Sequence, residues 1–221
     1  EVIITASGGP FLNLPLKNFQ KIKPSIAIKH PNWTMGKKIS IDSATMMNKV
    51  FEVIEAIRIF DIDIKKFKIV IHPKSYVHAI VKFSNGLTKV LIHDTDMKIP
   101  IFNSIYHNEN KCLKTKKLDY SVLNKLDFQI CELTRFPAIG LLKNISNKST
   151  LFETIIISAN DELVQFFLDG KIKFTDIFKL MHKVINLKEF KKYKHISPRN
   201  FDQIRKLNTY VRLKTQSVSV L

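Results

Sequence analysis

The chain has 221 residues, 45% hydrophobic and 25% charged, enough to bury a core of one or two domains and too apolar for a disordered segment. The 36 basic and 19 acidic residues give a net charge of +17, but only five of the basic residues are Arg, the better reader of bases and phosphates, and the lysines are scattered, so no nucleic-acid partner is expected. No apolar run nears the roughly 20 residues that cross a bilayer, no secretory leader pattern is visible, and Cys112 and Cys131 have neither metal-ligand spacing nor the look of a disulfide framework, so a soluble protein of a reducing compartment, without membrane contact, is expected.

In chain order, residues 1–6 read as a strand. It follows Glu1 directly, with no Met, which reads as a piece of a longer polypeptide. SGGPF at 7–11 is a turn of small residues that lets backbone N–H groups approach a ligand. Short helical pieces are expected over 15–22 and 24–29. HPNWTMGK at 30–37 has no periodicity and reads as an exposed loop. A helix is expected from Ser43 to about Phe60, strands over 68–72, 77–83 and 87–93, and a hairpin turn at Ser84, Asn85 and Gly86. A helix over 96–106 and a polar, Lys-rich linker over 108–119 come next, with a strand over 126–133. From Phe136 the period is helical, with helices near 136–146, 150–169, 175–187 and 198–215. Gly170 is expected to end one of these, Thr175 to cap the next, and Ser197 and Pro198 to open the last. An α/β part thus precedes an α part, and the fold class expected is α+β.

The string KISIDSATMMNKVFE at 38–52 is the richest in chemistry. Asp42 and Ser43 read as N-cap residues before an apolar stripe of Met46, Met47, Val50, Phe51, Ile54 and Ile57. The first turn of such a helix has unpaired N–H groups and the positive end of the dipole, so phosphate can settle there. Ser43, Asn48, Lys49 and Glu52 add a hydroxyl, an amide, a cation and a carboxylate, with Asn48 and Glu52 on one face. On spacing alone a solvated helix face is the commoner reading.

The whole string, together with SGGPF, HPNWTMGK, IHPKS at 71–75, His78, DMKIP at 96–100 and SANDE at 158–162, closely resembles the 1-deoxy-D-xylulose 5-phosphate reductoisomerase family in order and spacing. The last fifty or so residues match only loosely. The resemblance implies an NADPH-dependent enzyme of non-mevalonate isoprenoid synthesis, using Mg²⁺ or Mn²⁺, acting on a small phosphorylated sugar, and working as a homodimer in a bacterial cytoplasm or a plastid. It implies a mixed α/β catalytic domain with a small sheet at 1–107, with a flap at 30–37, a linker at 108–132 and an α-helical C-terminal bundle at 133–221. Residue by residue, Ser7, Ser43, Asn48 and Lys49 match the clamp on the substrate's phosphate and hydroxyls, and Glu52 matches the metal-binding carboxylate. His30, Trp33 and Met35 match the flap over the substrate. Asn32, Met35, Gly36 and Met97 fall to the cofactor side, and His78 to the substrate side. Glu52, Lys49 and His30 are the catalytic candidates.

Three positions depart from the family pattern: Val50 stands where it has Gly, Thr95 where it has Pro, and Ile157 where it has Asn. The Gly-rich strand-turn-helix of a dinucleotide fold does not occur, nor does the family's acidic metal pair. The chain therefore reads as the C-terminal portion of the enzyme, inactive alone. The rival reading is a non-catalytic remnant that binds polyanions through its lysines.

Overall fold

The structure is a computed structural model describing residues 1–30, 35–117 and 119–219. Its helices and small mixed sheet make it an α+β protein, as expected. The chain divides into two compact units that are interleaved along the sequence: residues 1–8 with 66–131, and residues 9–65 with 132–221. That division differs from the linear one at 107 and 132, because β1 pairs with strands more than sixty residues later.

The first unit is the sheet. β1 (Val2–Ala6), β2 (Phe67–Ile71), β3 (Val77–Lys82), β4 (Thr88–Ile92) and β5 (Gln129–Ile130) lie in the order β4-β3-β1-β2-β5. β1 runs parallel to β2 and antiparallel to β3, with Ile4 opposite Ile69 and Ala79. The hairpin between β3 and β4 closes as expected: Phe83 N–H donates to Leu87 O at 2.8 Å, and Asn85 Oδ1 accepts the Leu87 N–H at 3.0 Å. β5 is only two residues of the strand expected over 126–133, the part that pairs with β2. His72 is fully buried, bonds Asp127 O through Nδ1 at 2.7 Å and stacks on Phe128.

Cys131 lies at the end of this unit, and burial pushes its thiol up to about 11, whereas Cys112 is exposed. With that pKa about one Cys131 in a thousand is thiolate at pH 8. A maleimide at pH 8 is expected to label Cys112 rapidly and Cys131 far more slowly. Two equal fast phases in a mass-spectrometric time course would contradict this.

The second unit is helical. It contains α1 (Pro24–Ala27), α2 (Lys37–Thr45) and α3 (Met47–Phe60), while α4 (Lys98–Ile105) and α5 (Tyr120–Leu123) belong to the sheet unit. α6 (Leu151–Leu168), α7 (Phe174–Ile185) and α8 (Phe201–Ser219) complete it. α6 is the centre and packs against α2, α7 and α8. α8 buries Leu207, Val211 and Thr215, one stripe at a spacing of four. Phe11, Phe19, Phe167 and Phe174 interlock edge to face or tilted, with centroids 5.4–6.3 Å apart. Gly170, at φ +74°, ends α6 with Lys171 N–H donating to Phe166 O at 2.9 Å, which a residue with a Cβ would do at a cost.

Several boundaries differ from those expected. The helix expected from Ser43 is two helices. The piece over 136–146 is a 3-10 helix, Pro137–Asn144, and the 3-10 helix Lys188–His195 was not expected. α7 opens at Phe174, where Asp176 accepts the Lys173 N–H at 3.0 Å, so Thr175 is not its cap. α8 opens at Phe201, with Asn200 Oδ1 accepting the Gln203 N–H at 2.9 Å, so Pro198 lies outside it.

Candidate functional site

The chemistry gathers where α2 gives way to α3. Met46 sits between them in the left-handed conformation, φ 65° and ψ 14°, closing α2 and opening α3. A side chain at such a φ costs roughly 1 kcal/mol or more. Burial of Met46 and Met47 at 1% and 2% exposure fixes it in place. Asp42 and Ser43 are therefore not an N-cap but the buried last turns of α2. The helix start that presents Asn48 and Lys49 lies four residues further on.

Gly9 shows why the SGGPF turn carries a second glycine. It has φ +67°, and a Cβ there would lie 2.9 Å from Ser43 O and 3.0 Å from Ala44 Cα. The turn is thus packed backbone to backbone against the end of α2. Gly9→Ala combines that overlap with a left-handed penalty, so it is expected to cost about 2 kcal/mol or more. A urea midpoint unchanged from the parent chain would overturn this.

A polar network around the buried Asp42 ties α2 to α6. Asn160 of α6 donates Nδ2–H to Asp42 Oδ1 at 2.8 Å, and Lys38 Nζ lies 2.6 Å from Asp42 Oδ2 and 3.1 Å from Asp161. Burial pushes the Asp42 carboxyl above the usual carboxylate range, with Lys38 and Asn160 opposing it. Asp42 anchors α2, a role the N-cap reading missed. The signal was present as the Lys38 and Asp42 spacing of four and as Asn160 within SANDE.

On α3, Lys49 Nζ donates to both Glu52 oxygens at 2.8 and 2.7 Å, and Asn48 Nδ2 approaches Oε1 at 3.5 Å. The Lys49 side chain is 15% exposed and that of Glu52 40%. One turn of helix thus joins an amide, an ammonium and a carboxylate in mutual contact, with the carboxylate open to a further ligand. Ser43 is buried at 6% exposure in the adjoining helix end.

The other candidates are spread over both units. In the helical unit, His30 is half-buried, and burial holds its imidazole below the usual histidine range. Met35 is half-buried, and Gly36 precedes α2, its carbonyl accepting the Ser40 N–H and hydroxyl. Asn32 and Trp33 lie outside the described residues. In the sheet unit, Ser7 is half-buried just after β1, and Met97, 47% exposed, precedes α4. His78 sits on β3 where the register with β4 shifts, its ring stacked on His93 at 3.7 Å.

A family model described as "1-deoxy-D-xylulose 5-phosphate reductoisomerase C-terminal domain" matches residues 1–60, and one described as "DXP reductoisomerase C-terminal domain" matches residues 92–214. The chain belongs to the 1-deoxy-D-xylulose 5-phosphate reductoisomerase family. The reductoisomerase of Pelagibacter ubique (strain HTCC1062) is 59% identical over 220 residues, covering 100% of this chain and 57% of that protein. That of Zymomonas mobilis is 35% identical over 218 residues, covering 99% and 55%. Among solved structures, a DOX-P reductoisomerase in complex with NADPH, fosmidomycin and magnesium superposes with a TM-score of 0.92 at 32% identity, over 100% of this chain and 55% of that one. The Zymomonas mobilis reductoisomerase in complex with NADPH superposes at 0.85 with 33% identity, over 99% and 55%. The chain thus spans a little over half the length of these relatives. Val50 is fully buried, so its bulk is taken up by the core.

Proposed function

We propose that the chain is the part of a reductoisomerase that holds the substrate and one metal ligand. The full reaction would convert 1-deoxy-D-xylulose 5-phosphate to 2-C-methyl-D-erythritol 4-phosphate with NADPH and a divalent cation. The carrying observation is the Lys49 and Glu52 pair at the start of α3. Ser43, Asn48 and Lys49, with Ser7, His30, Trp33 and His78, would bind the phosphate and hydroxyls of the sugar. An ammonium, an amide and a helix start are all favourable phosphate partners. Substrate phosphate would draw Lys49 away from Glu52 and leave that carboxylate to a cation. Met97, with Asn32, Met35 and Gly36, would border the nicotinamide.

Glu52 would supply one oxygen ligand to Mg²⁺ or Mn²⁺, hard cations that take oxygen ligands and few carboxylates. Among the described residues no group of three His, Cys, Asp or Glu could hold a metal, so further ligands would come from elsewhere in the enzyme. When bound, the metal supplies Lewis acidity at the substrate's oxygens. On this reading the chain has no turnover alone. Dimerisation is supported by exposed apolar residues on the edge strand β4, Val90 at 46% and Leu91 at 57% exposure. No described helix is long and apolar enough to cross a membrane, and the bacterial relatives favour a bacterial cytoplasm over a plastid.

Calorimetric titration of the chain with inorganic phosphate and methylphosphonate tests the clamp. Saturable binding is expected, weakened about ten-fold by Lys49→Ala, as for one charge-assisted hydrogen bond, and untouched by Lys191→Ala. Equal losses at both lysines, with a steep salt dependence, would favour the polyanion binder instead.

A further inference from the structure

A recess of about 310 Å³ opens in the helical unit between the Leu16–Lys21 turn, the α2–α3 break, α6 and α7, and neither Lys49 nor Glu52 lines it. That volume is at the lower end of small-molecule sites. Phe19, Met47, Phe174, Ile177, Phe178 and Met181 make most of its wall. Phe19 and Phe174 meet edge to face at 6.0 Å, so the wall offers a ring both aromatic edges and faces. Asn160 backs the wall, but it is fully buried and held by Asp42, so it gives a guest no hydrogen bond.

The charged residues of the wall are Arg135 and Lys179, and no Asp or Glu lines it. Neither cation forms an ion pair among the described residues. Arg135 spends Nη1 on Phe11 O and Leu14 O at 2.9 and 2.7 Å, with its guanidinium 5.5 Å from the Phe19 ring centre. The group is thereby fixed. Its Nε and Nη2, which share one edge of the fork, bond nothing among the described residues and are not buried. Lys179 is exposed on α7, four residues from the wall residue Thr175 and so on the same helix face. Two like charges without a counter-ion beside an apolar cleft attract an anion and repel a cation.

We propose that this recess binds a small aromatic monocarboxylate, with its ring among Phe19, Phe174, Phe178 and Met181 and its carboxylate on the open edge of Arg135, Lys179 beside it. Two parallel N–H···O bonds suit that planar anion. Two carbonyls already hold Arg135, so little side-chain freedom is lost on binding. The carboxylate stays next to the exposed Lys179, so its charge is paired and the apolar body carries most of the desolvation.

The 221-residue chain, titrated with benzoate, benzamide and acetate at fixed ionic strength and followed by NMR of the Ile177 and Met181 methyl groups, tests this. Saturable shifts are expected with benzoate. Binding should be about ten-fold weaker for benzamide, which keeps the ring and loses the charge-assisted hydrogen bonds, and weaker still for acetate, which lacks the ring. Lys179→Gln should weaken benzoate several-fold and leave benzamide unchanged, while Lys191→Gln, outside the wall, should change neither. Arg135→Lys keeps the charge but not the planar edge, and should bring benzoate down towards benzamide. Thr175→Phe, at a half-exposed wall position, should block both. No saturable benzoate binding, equal binding of benzoate and benzamide, or benzoate binding that survives Thr175→Phe overturns the proposal. If Arg135→Lys does not fold, the order of the three ligands on the parent chain and the Lys179→Gln and Thr175→Phe results still decide.

Discussion

Glu52→Gln is expected to lower reductoisomerase turnover by about 10²–10³ when the chain is joined to the remaining segment of the Pelagibacter ubique enzyme. The parent fusion, assayed by NADPH oxidation with the deoxyketose phosphate and Mg²⁺, sets the reference. The amide keeps the shape of the carboxylate but not its charge, and it is a poor ligand for a hard cation. The fold should survive. Glu52 is 40% exposed and its bond with Lys49 spans three residues of one helix, a kind of pair worth at most about 1 kcal/mol. Methylphosphonate binding should also survive or tighten, because Lys49 is no longer held at two points by a carboxylate. The combination separates the proposed role from a structural one: turnover falls while the melting temperature and phosphonate affinity hold. Near-normal turnover at saturating Mg²⁺ would make Glu52 a surface residue and remove it from the site.

The candidate set Ser43, Asn48, Lys49 and Glu52 comes from the resemblance of the whole string, since on spacing alone a solvated helix face is the commoner reading. The helix break was not legible. Asp42 and Ser43 are favoured at N-caps, but here α2 already begins at Lys37 and both are buried within it. Nothing local in a Met-Met pair announces a left-handed residue. Met46 takes that conformation because tertiary burial outweighs the local cost. The glycine at position 9 is the same lesson seen from the partner side, since its reason is Ser43 O, 34 positions away in sequence.

The sheet shows a similar limit. β1, β3 and β4 follow from β-branched runs and a hairpin turn. β5 depends on pairing with β2 across more than fifty residues, and only Gln129 and Ile130 meet that partner. The helical unit was read well where apolar periodicity is strong, as in α6 and α7. The 3-10 helix Lys188–His195 was hidden by its lysines, which look like a solvated linker, while Phe190 inside it is 0% exposed and anchors it.

Arg58→Ala is expected to cost the helical unit about 3 kcal/mol. Arg58 lies in the last turn of α3, where a cation also suits the helix dipole. It forms an ion pair with Glu153 and donates to the carbonyls of Ser146, Asn147 and Lys148, so one guanidinium satisfies a whole loop end. Glu153 in turn accepts the Thr150 N–H at 3.0 Å at the start of α6. The paired side chains are only 23% and 11% exposed, so the mutation leaves the Glu153 carboxylate largely shielded from water and without its counter-ion. Arg205→Ala is the control. Arg205 and Asp202 are both 68% exposed, and their loss should cost no more than about 0.5 kcal/mol. Glu153→Gln should fall between, since the amide oxygen still caps α6 while the charge is gone. Urea unfolding of the three variants gives the order directly. If Arg58→Ala cost no more than Arg205→Ala, α3 and α6 would be held by apolar packing alone, and the carbonyl cluster at 146–148 would have water as an adequate partner.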